Sequence, residues 1–210
     1  MAQKESTFFN MTLTLFVVTF VAATVLGFVH DLTKVDIALA KQQAQQKAIE
    51  SVLPAFDTLG ESYKMLPEDS SDSLEFFPAY DANQKLVGVA VKTYTKNGFS
   101  GLISIMAGFS PEGTITGFEV LEHKETPGLG SKMNAWFKDE NKPGQNIIGK
   151  SPATSKFEVK KDGGDVDAIT ASTITSRAFL EAVVRAHKTY QNAQEQPAIS
   201  NNPTKAGGQS

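Results

Sequence analysis

Residues Asn10 to Val29 read "NMTLTLFVVTFVAATVLGFV" and carry no charge. About 20 apolar residues, rising roughly 1.5 Å each as a helix, span a hydrocarbon core of about 30 Å. This run constrains the chain more than any other feature. Thr12, Thr14, Thr19 and Thr24 lower its hydropathy. A helical Thr can return its hydroxyl to a carbonyl three or four residues back, so the run still predicts a transmembrane helix over 10–29, after a short tail at 1–9. The competing reading is a secretory signal peptide with Lys4 in its n-region. The run is longer than a usual h-region, and no clean small-x-small cleavage site follows it. Charge does not set orientation, because Lys4 before the span is offset by Lys34 and Lys41 after it.

Apolar residues keep helical spacing beyond the span, at Val35, Ile37, Leu39, Ile49, Val52 and Leu53, until Pro54. A helical extension over 30–53 is expected, carrying a domain over 54–192. Phe56 to Asp72 reads as loop. "EFFPAYDANQKLVGVAVKTYTK" predicts a hairpin turning at Asp81-Ala82-Asn83-Gln84, with a strand over Leu86 to Thr95. "GFSGLISIMAGFS" and "GTITGFEVLEH" predict two further strands, the latter opened by a turn at Pro111-Glu112-Gly113. The three runs should form an antiparallel meander. "SKMNAWFKDE" predicts a short helix with Met133, Trp136 and Phe137 on one side, and "KFEVKK" a short strand before Gly163-Gly164. An amphipathic helix comes next, with Phe179, Leu180, Val183 and Val184 facing the core. The polar end, 193–210, reads as disordered. The expected class is α+β, an antiparallel sheet with flanking helices, on one N-terminal transmembrane helix.

The chain holds no Cys, so disulfides, thiolate metal sites and iron–sulfur ligation by this chain are excluded. His30, His123 and His187 share no close spacing, and no metal site is expected. The net charge of −3 offers no basic face for nucleic acid.

Two motifs carry chemistry. "DAITASTITSRAF", Asp167 to Phe179, holds Thr170, Ser172, Thr173, Thr175 and Ser176 at the start of the last helix. One or two hydroxyls suffice as caps, and the rest can be turn residues. A helix N-terminus with surplus hydroxyls also suits a phosphate, held non-covalently or as an ester. Asp167 could hold a divalent metal during attachment. "HKETPGLGSKM", His123 to Met133, places Pro127 and two Gly after a predicted strand. It is either a plain connector or a turn whose exposed backbone meets a planar ligand.

"GFSGLI" at 98–103, "ETPGLG" at 125–130 and "DAITASTIT" at 167–175, in this order behind an N-terminal apolar helix, resemble the FMN-binding subunits of the Rnf and Nqr redox complexes. The length fits the G subunit of the Rnf complex better than the longer C subunit of the Nqr complex. The resemblance implies FMN joined through its phosphate to Thr175 by a separate Mg²⁺-dependent flavin transferase that uses FAD as donor. Asp167, Thr170, Ser172 and Thr173 would be recognition residues around the attachment point. Glu125, Thr126, Leu129 and Gly130 would lie near the flavin ring. Trp136 and Phe137 are expected in the core rather than stacked on it. Two positions depart from the family pattern: Ala171 stands where Gly is usual, and Ser172 where Ala is usual.

No catalytic base and no nicotinamide fingerprint are evident, so the chain by itself reads as an electron carrier, not an enzyme. The resemblance further implies a subunit of an ion-translocating ferredoxin:NAD oxidoreductase. It would partner other integral membrane subunits in the bacterial cytoplasmic (inner) membrane, its soluble domain on the periplasmic or outer side. The C subunit of a Na⁺-translocating NADH:quinone reductase-type complex, a cofactor-free anchored interaction domain and an anchored flavin reductase are the alternatives.

Overall fold

The structure is a computed structural model and describes residues 7–195. The chain divides into two compact units, 1–44 and 45–210. Helix α1, Phe8–Val52, begins in the first unit and ends in the second.

Over residues 8–29 the helix carries no charge and its apolar side chains are exposed; Phe8 is 86% and Leu26 72% exposed. A helix with that surface is suited to lipid. It is long and apolar enough to cross a membrane. The threonines behave as expected. Thr12, Thr14, Thr19 and Thr24 donate to the carbonyls of Phe8, Asn10, Leu15 and Phe20 at 2.7–2.9 Å. The helix starts two residues earlier than the expected span, so Phe8 and Phe9 belong to it.

The second unit is built on a six-stranded antiparallel sheet. Its strands are β1 Thr58–Leu59, β2 Tyr63–Met65, β3 Leu74–Tyr80, β4 Leu86–Gly98, β5 Gly101–Phe109 and β6 Ile115–His123. The meander β3-β4-β5-β6 is the predicted one, and Asp81 closes its first turn by accepting the amides of Asn83 and Lys85 at Oδ1. β1 and β2 fall where a loop was expected. Both pair with the free edge of β3, and Tyr63 stacks on Phe76 with ring centroids 5.1 Å apart.

The sheet alternates sides with period two. Val89, Val91, Ile105 and Ala107 face a core shared with helix α3, Thr173–Glu195. Phe179 stacks on Phe137 at 4.6 Å and meets Phe118 edge-on at 5.0 Å. Phe179, Leu180 and Val183 are buried and Val184 packs at the margin. Each such side chain contributes about 1.5–3 kcal/mol by burial. Thr93 Oγ1 donates to the Ala182 carbonyl at 3.0 Å, fixing β4 to α3 by a buried polar contact.

Ala79, Ala90 and Met106 face the opposite side, covered by Ala48, Ile49 and Val52 of α1. Gly108 and Gly117 are paired across β5 and β6 beneath Val52. A Cβ on Gly108 would fall 2.1 Å from the Val52 carbonyl oxygen. Thr116 Oγ1 donates to that same carbonyl at 2.6 Å, satisfying one of the acceptors a helix end leaves open.

Two further expectations are corrected. "KFEVKK" is not a strand: it makes one parallel bridge, Val159 to Val166, and a 3-10 turn at Lys160–Asp162. Gly163, at φ 83°, turns the chain back, and the Lys156 amide is taken by Asp165 Oδ2. The edge of β6 is engaged too, with the Val120 amide donating to Asn134 Oδ1. The last helix begins at Thr173, so Thr175 lies inside its first turn. It continues to Glu195, which moves the domain end past residue 192; the remainder of the expected disordered tail lies outside the described residues.

Candidate functional site

The segment after β6 folds as a type II turn should. Pro127 sits at the second position and Gly128, at φ 78°, at the third. The Leu129 amide closes the turn on the Thr126 carbonyl at 3.1 Å, and the Gly128 amide donates to Ser131 Oγ. A 3-10 turn, Gly130–Lys132, then leads into α2, Met133–Trp136. The turn leaves Thr126 and Leu129 outside and Glu125 and Gly130 inside.

The hydroxyl-rich segment makes its own turn. The Ser172 amide donates to the Ile169 carbonyl at 2.9 Å, with Ala171 between them at φ 58°. Ala171 is therefore left-handed, at a cost of about 1–2 kcal/mol. Ser176 locks the arrangement: its hydroxyl accepts from the Ile169 amide at 2.9 Å and donates to the Ser172 carbonyl at 3.0 Å. The first helical bond runs from the Ser176 amide to the Ser172 carbonyl. The amides of Thr173, Ile174 and Thr175 precede it, where a helix start leaves donors open.

The two segments meet at Thr175. Its hydroxyl donates to Glu125 Oε2 at 2.7 Å and accepts from Ser172 Oγ at 2.9 Å. The Ser100 amide, in the turn between β4 and β5, donates to Glu125 Oε1 at 2.9 Å. Thr175 is fully buried and Glu125 is 5% exposed. Two glycines make room. A Cβ on Gly130 would lie 2.7 Å from Glu125 Oε2 and 2.8 Å from Thr175 Oγ1, and one on Gly98 would lie 2.8 Å from Glu125 Oε1. Above these groups opens a cleft of about 340 Å³, with Ala171, Thr173 and Thr126 in its wall. Phe99, Leu129 and Ile174, each more than a third exposed, form an apolar rim.

Of the expected residues, Thr175, Ser172, Thr173, Glu125, Thr126 and Leu129 line this cleft, and Gly130 lies against Thr175 behind it. Asp167 and Thr170 are not brought into it. Asp167 pairs with Lys160 Nζ at 2.8 Å, and its carbonyl accepts Trp136 Nε1 at 2.8 Å. Thr170 is exposed to solvent. Among the described residues no three His, Asp or Glu side chains gather as a metal site. Phe137 is core, as expected, and Trp136 packs at its margin. Phe99, Ser100 and Ile174 were missed. "GFSG" announced a tight hairpin, but the reach of its tip to Glu125 depends on the length of β4.

These features have the marks of a site for an anionic, partly apolar ligand: open amides at a helix start, hydroxyls beside them, and an exposed apolar rim. The family model of the FMN-binding domain matches residues 98–188, which contain every group just described. By this match residues 98–188 form an FMN-binding domain. The G subunit of an ion-translocating oxidoreductase complex of Aliivibrio fischeri is 35% identical over 84% of this chain and 87% of its own. The G subunit of a Na⁺-translocating ferredoxin:NAD⁺ oxidoreductase complex of Acetobacterium woodii is 32% identical over 88% and 92%. The chain belongs to the family of these G subunits, and the apolar part of α1 is its membrane anchor. The crystal structure of Shewanella oneidensis NqrC is also similar, at 23% identity over 63% of this chain and 69% of that one, with a TM-score of 0.44.

Proposed function

We propose that the chain carries FMN joined covalently through its phosphate to Thr175 and relays electrons within an ion-translocating ferredoxin:NAD oxidoreductase complex. The observation that carries this reading is the Thr175 hydroxyl, in the first turn of α3, hydrogen-bonded to a buried carboxylate at the foot of the cleft. Bound there, FMN would supply reversible electron transfer.

The residues present fit the group. The open amides and positive end of α3 stabilise the charge of a phosphodiester. The Ser172 hydroxyl is within reach of the same oxygen. Phe99, Leu129 and Ile174 offer apolar surface for a ring, with Thr126 as a polar handle. A covalent link removes dissociation, so the group stays in place through each redox change. Further parts of the reading come from the family: attachment by a Mg²⁺-dependent flavin transferase with FAD as donor, a bacterial inner membrane, the domain on its outer side, and the other membrane subunits as partners.

Peptide mass mapping after coexpression with a flavin transferase tests the central point. The Thr175 peptide should gain the mass of FMN minus water, and Thr175→Ala should abolish the gain. An unmodified Thr175 peptide under those conditions would overturn the reading.

A further inference from the structure

We infer that Glu125 is the base that takes the Thr175 proton when the flavin phosphate is attached, and that it keeps this proton as a donor to the new phosphodiester. The inference rests on the reading of Thr175 as the acceptor.

The geometry assigns the roles. The Thr175 hydroxyl has one proton and two lone pairs. Its proton is directed at Glu125 Oε2, 2.7 Å away. One lone pair accepts from Ser172 Oγ, which leaves the other for attack on phosphorus. The carboxylate is held in place, because the Ser100 amide fixes Oε1 and Gly98 and Gly130 admit both oxygens without a side chain in the way. It is buried, and among the described residues no Lys, Arg or His forms an ion pair with it. A carboxylate so placed is costly to the fold, and its partner is the one hydroxyl that must lose a proton.

The step balances. The Thr175 Oγ–P bond forms, the P–O–P bond of flavin adenine dinucleotide breaks, and AMP leaves with the electron pair of that bond. The Thr175 proton passes to Glu125 Oε2. The product has an ester oxygen where a donor used to be, and a phosphodiester anion beside Glu125. An ionised Glu125 would then face the lone pairs of that ester oxygen, 2.7 Å away in this structure, with no proton between them, and would lie near the negative charge of the diester. Keeping the proton converts that repulsion into a hydrogen bond.

The test uses full-length protein prepared without the transferase, as wild type and as Glu125→Gln. Each is mixed with transferase, Mg²⁺ and FAD, and mass gain on the Thr175 peptide is followed in time. Gln keeps the size of the side chain and an oxygen to accept the hydroxyl. Modification of Glu125→Gln should slow by about 100-fold or more, the usual range for loss of a general base, with the KM for FAD unchanged. Infrared difference spectra of loaded against unloaded wild type should show a new protonated-carboxyl C=O band, absent from any loaded Glu125→Gln. Equal rates in the two proteins would overturn the inference while leaving Thr175 as acceptor. No mass gain in the wild type would instead overturn the acceptor reading. If Glu125→Gln fails to fold, as judged by circular dichroism, the wild-type spectrum decides: a loaded protein lacking the band rules the inference out.

Discussion

The Thr175 hydroxyl lies 2.7 Å from the Glu125 carboxylate, and Gly130 stands so close to both that a single added carbon would touch each. Three residues from two distant segments thus share one space. Stability and ligand attachment respond differently according to which of the three is changed.

Gly130→Ala should drive Glu125 and Thr175 apart. The expected loss is about 1–3 kcal/mol, from crowding and a buried acceptor left without its donor. Attachment at Thr175 should fall with it. Gly128→Ala is the contrast: it has nothing within 4 Å of its added carbon but sits at φ 78°. It should cost about 1–2 kcal/mol through the backbone alone and leave attachment intact. Urea unfolding with peptide mass mapping separates the two; equal attachment in both variants counts against the packing argument.

Ala171→Gly should stabilise the domain. Relief of the left-handed strain is worth about 1–2 kcal/mol, and the added freedom of the unfolded chain takes back about 0.4–1 kcal/mol. A net gain of about 0.5 kcal/mol is expected in urea titrations. Ala171→Val should move the midpoint the other way, by more than about 1 kcal/mol. A less stable Ala171→Gly would contradict the observed φ of 58°.

His187 should make the domain acid-sensitive. Burial pushes its imidazole below the usual value, with a backbone hydrogen bond at Gly113 working against that shift. Below about pH 6.5 the unfolded chain takes up a proton that the folded chain resists. The His187 contribution is therefore complete above that pH and is lost as pH falls toward the lower folded value. His187→Gln should flatten this part of the profile, read as the difference in urea midpoint between about pH 7.5 and pH 5. An unchanged profile would assign the acid sensitivity to other groups.

Gly108→Ala should be severe, because its new carbon would overlap the Val52 carbonyl oxygen at 2.1 Å. Overpacking of this kind costs about 1–3 kcal/mol, and here it also breaks the Thr116 contact to that carbonyl. Thermal unfolding measures it. A variant as stable as the wild type would mean that the end of α1 can lift from the sheet at no cost.

The meander was legible because its turns use residues with local mechanisms: Asp81 binds amides two and four residues on, and Gly113, at φ 82°, takes a conformation other residues avoid. The apolar span was legible from length alone. "KFEVKK" misled because its alternation suits a strand, whereas pairing depends on a free edge, and that lies elsewhere in the chain. At the site, family motifs pointed to Glu125 and Thr175, but their hydrogen bond spans 50 residues and leaves no periodic trace. Asp167 shares a motif with Thr175, yet the turn through Ala171 carries it away to Lys160. Phe99 and Ile174 were hidden because an exposed apolar residue has no pattern that separates a rim from a chance surface position.

The strands of the meander are near neighbours in sequence and can zip together as each emerges from the ribosome. The cleft has a different order of assembly. Glu125 is synthesised well before Thr175, and the buried contact from Thr93 waits for Ala182. A chain that stops short of α3 can own most of a sheet and still have no acceptor hydroxyl beside its carboxylate. On the proposed reading of Thr175, cofactor loading is then a late event in the life of each molecule, open to finished chains and closed to fragments.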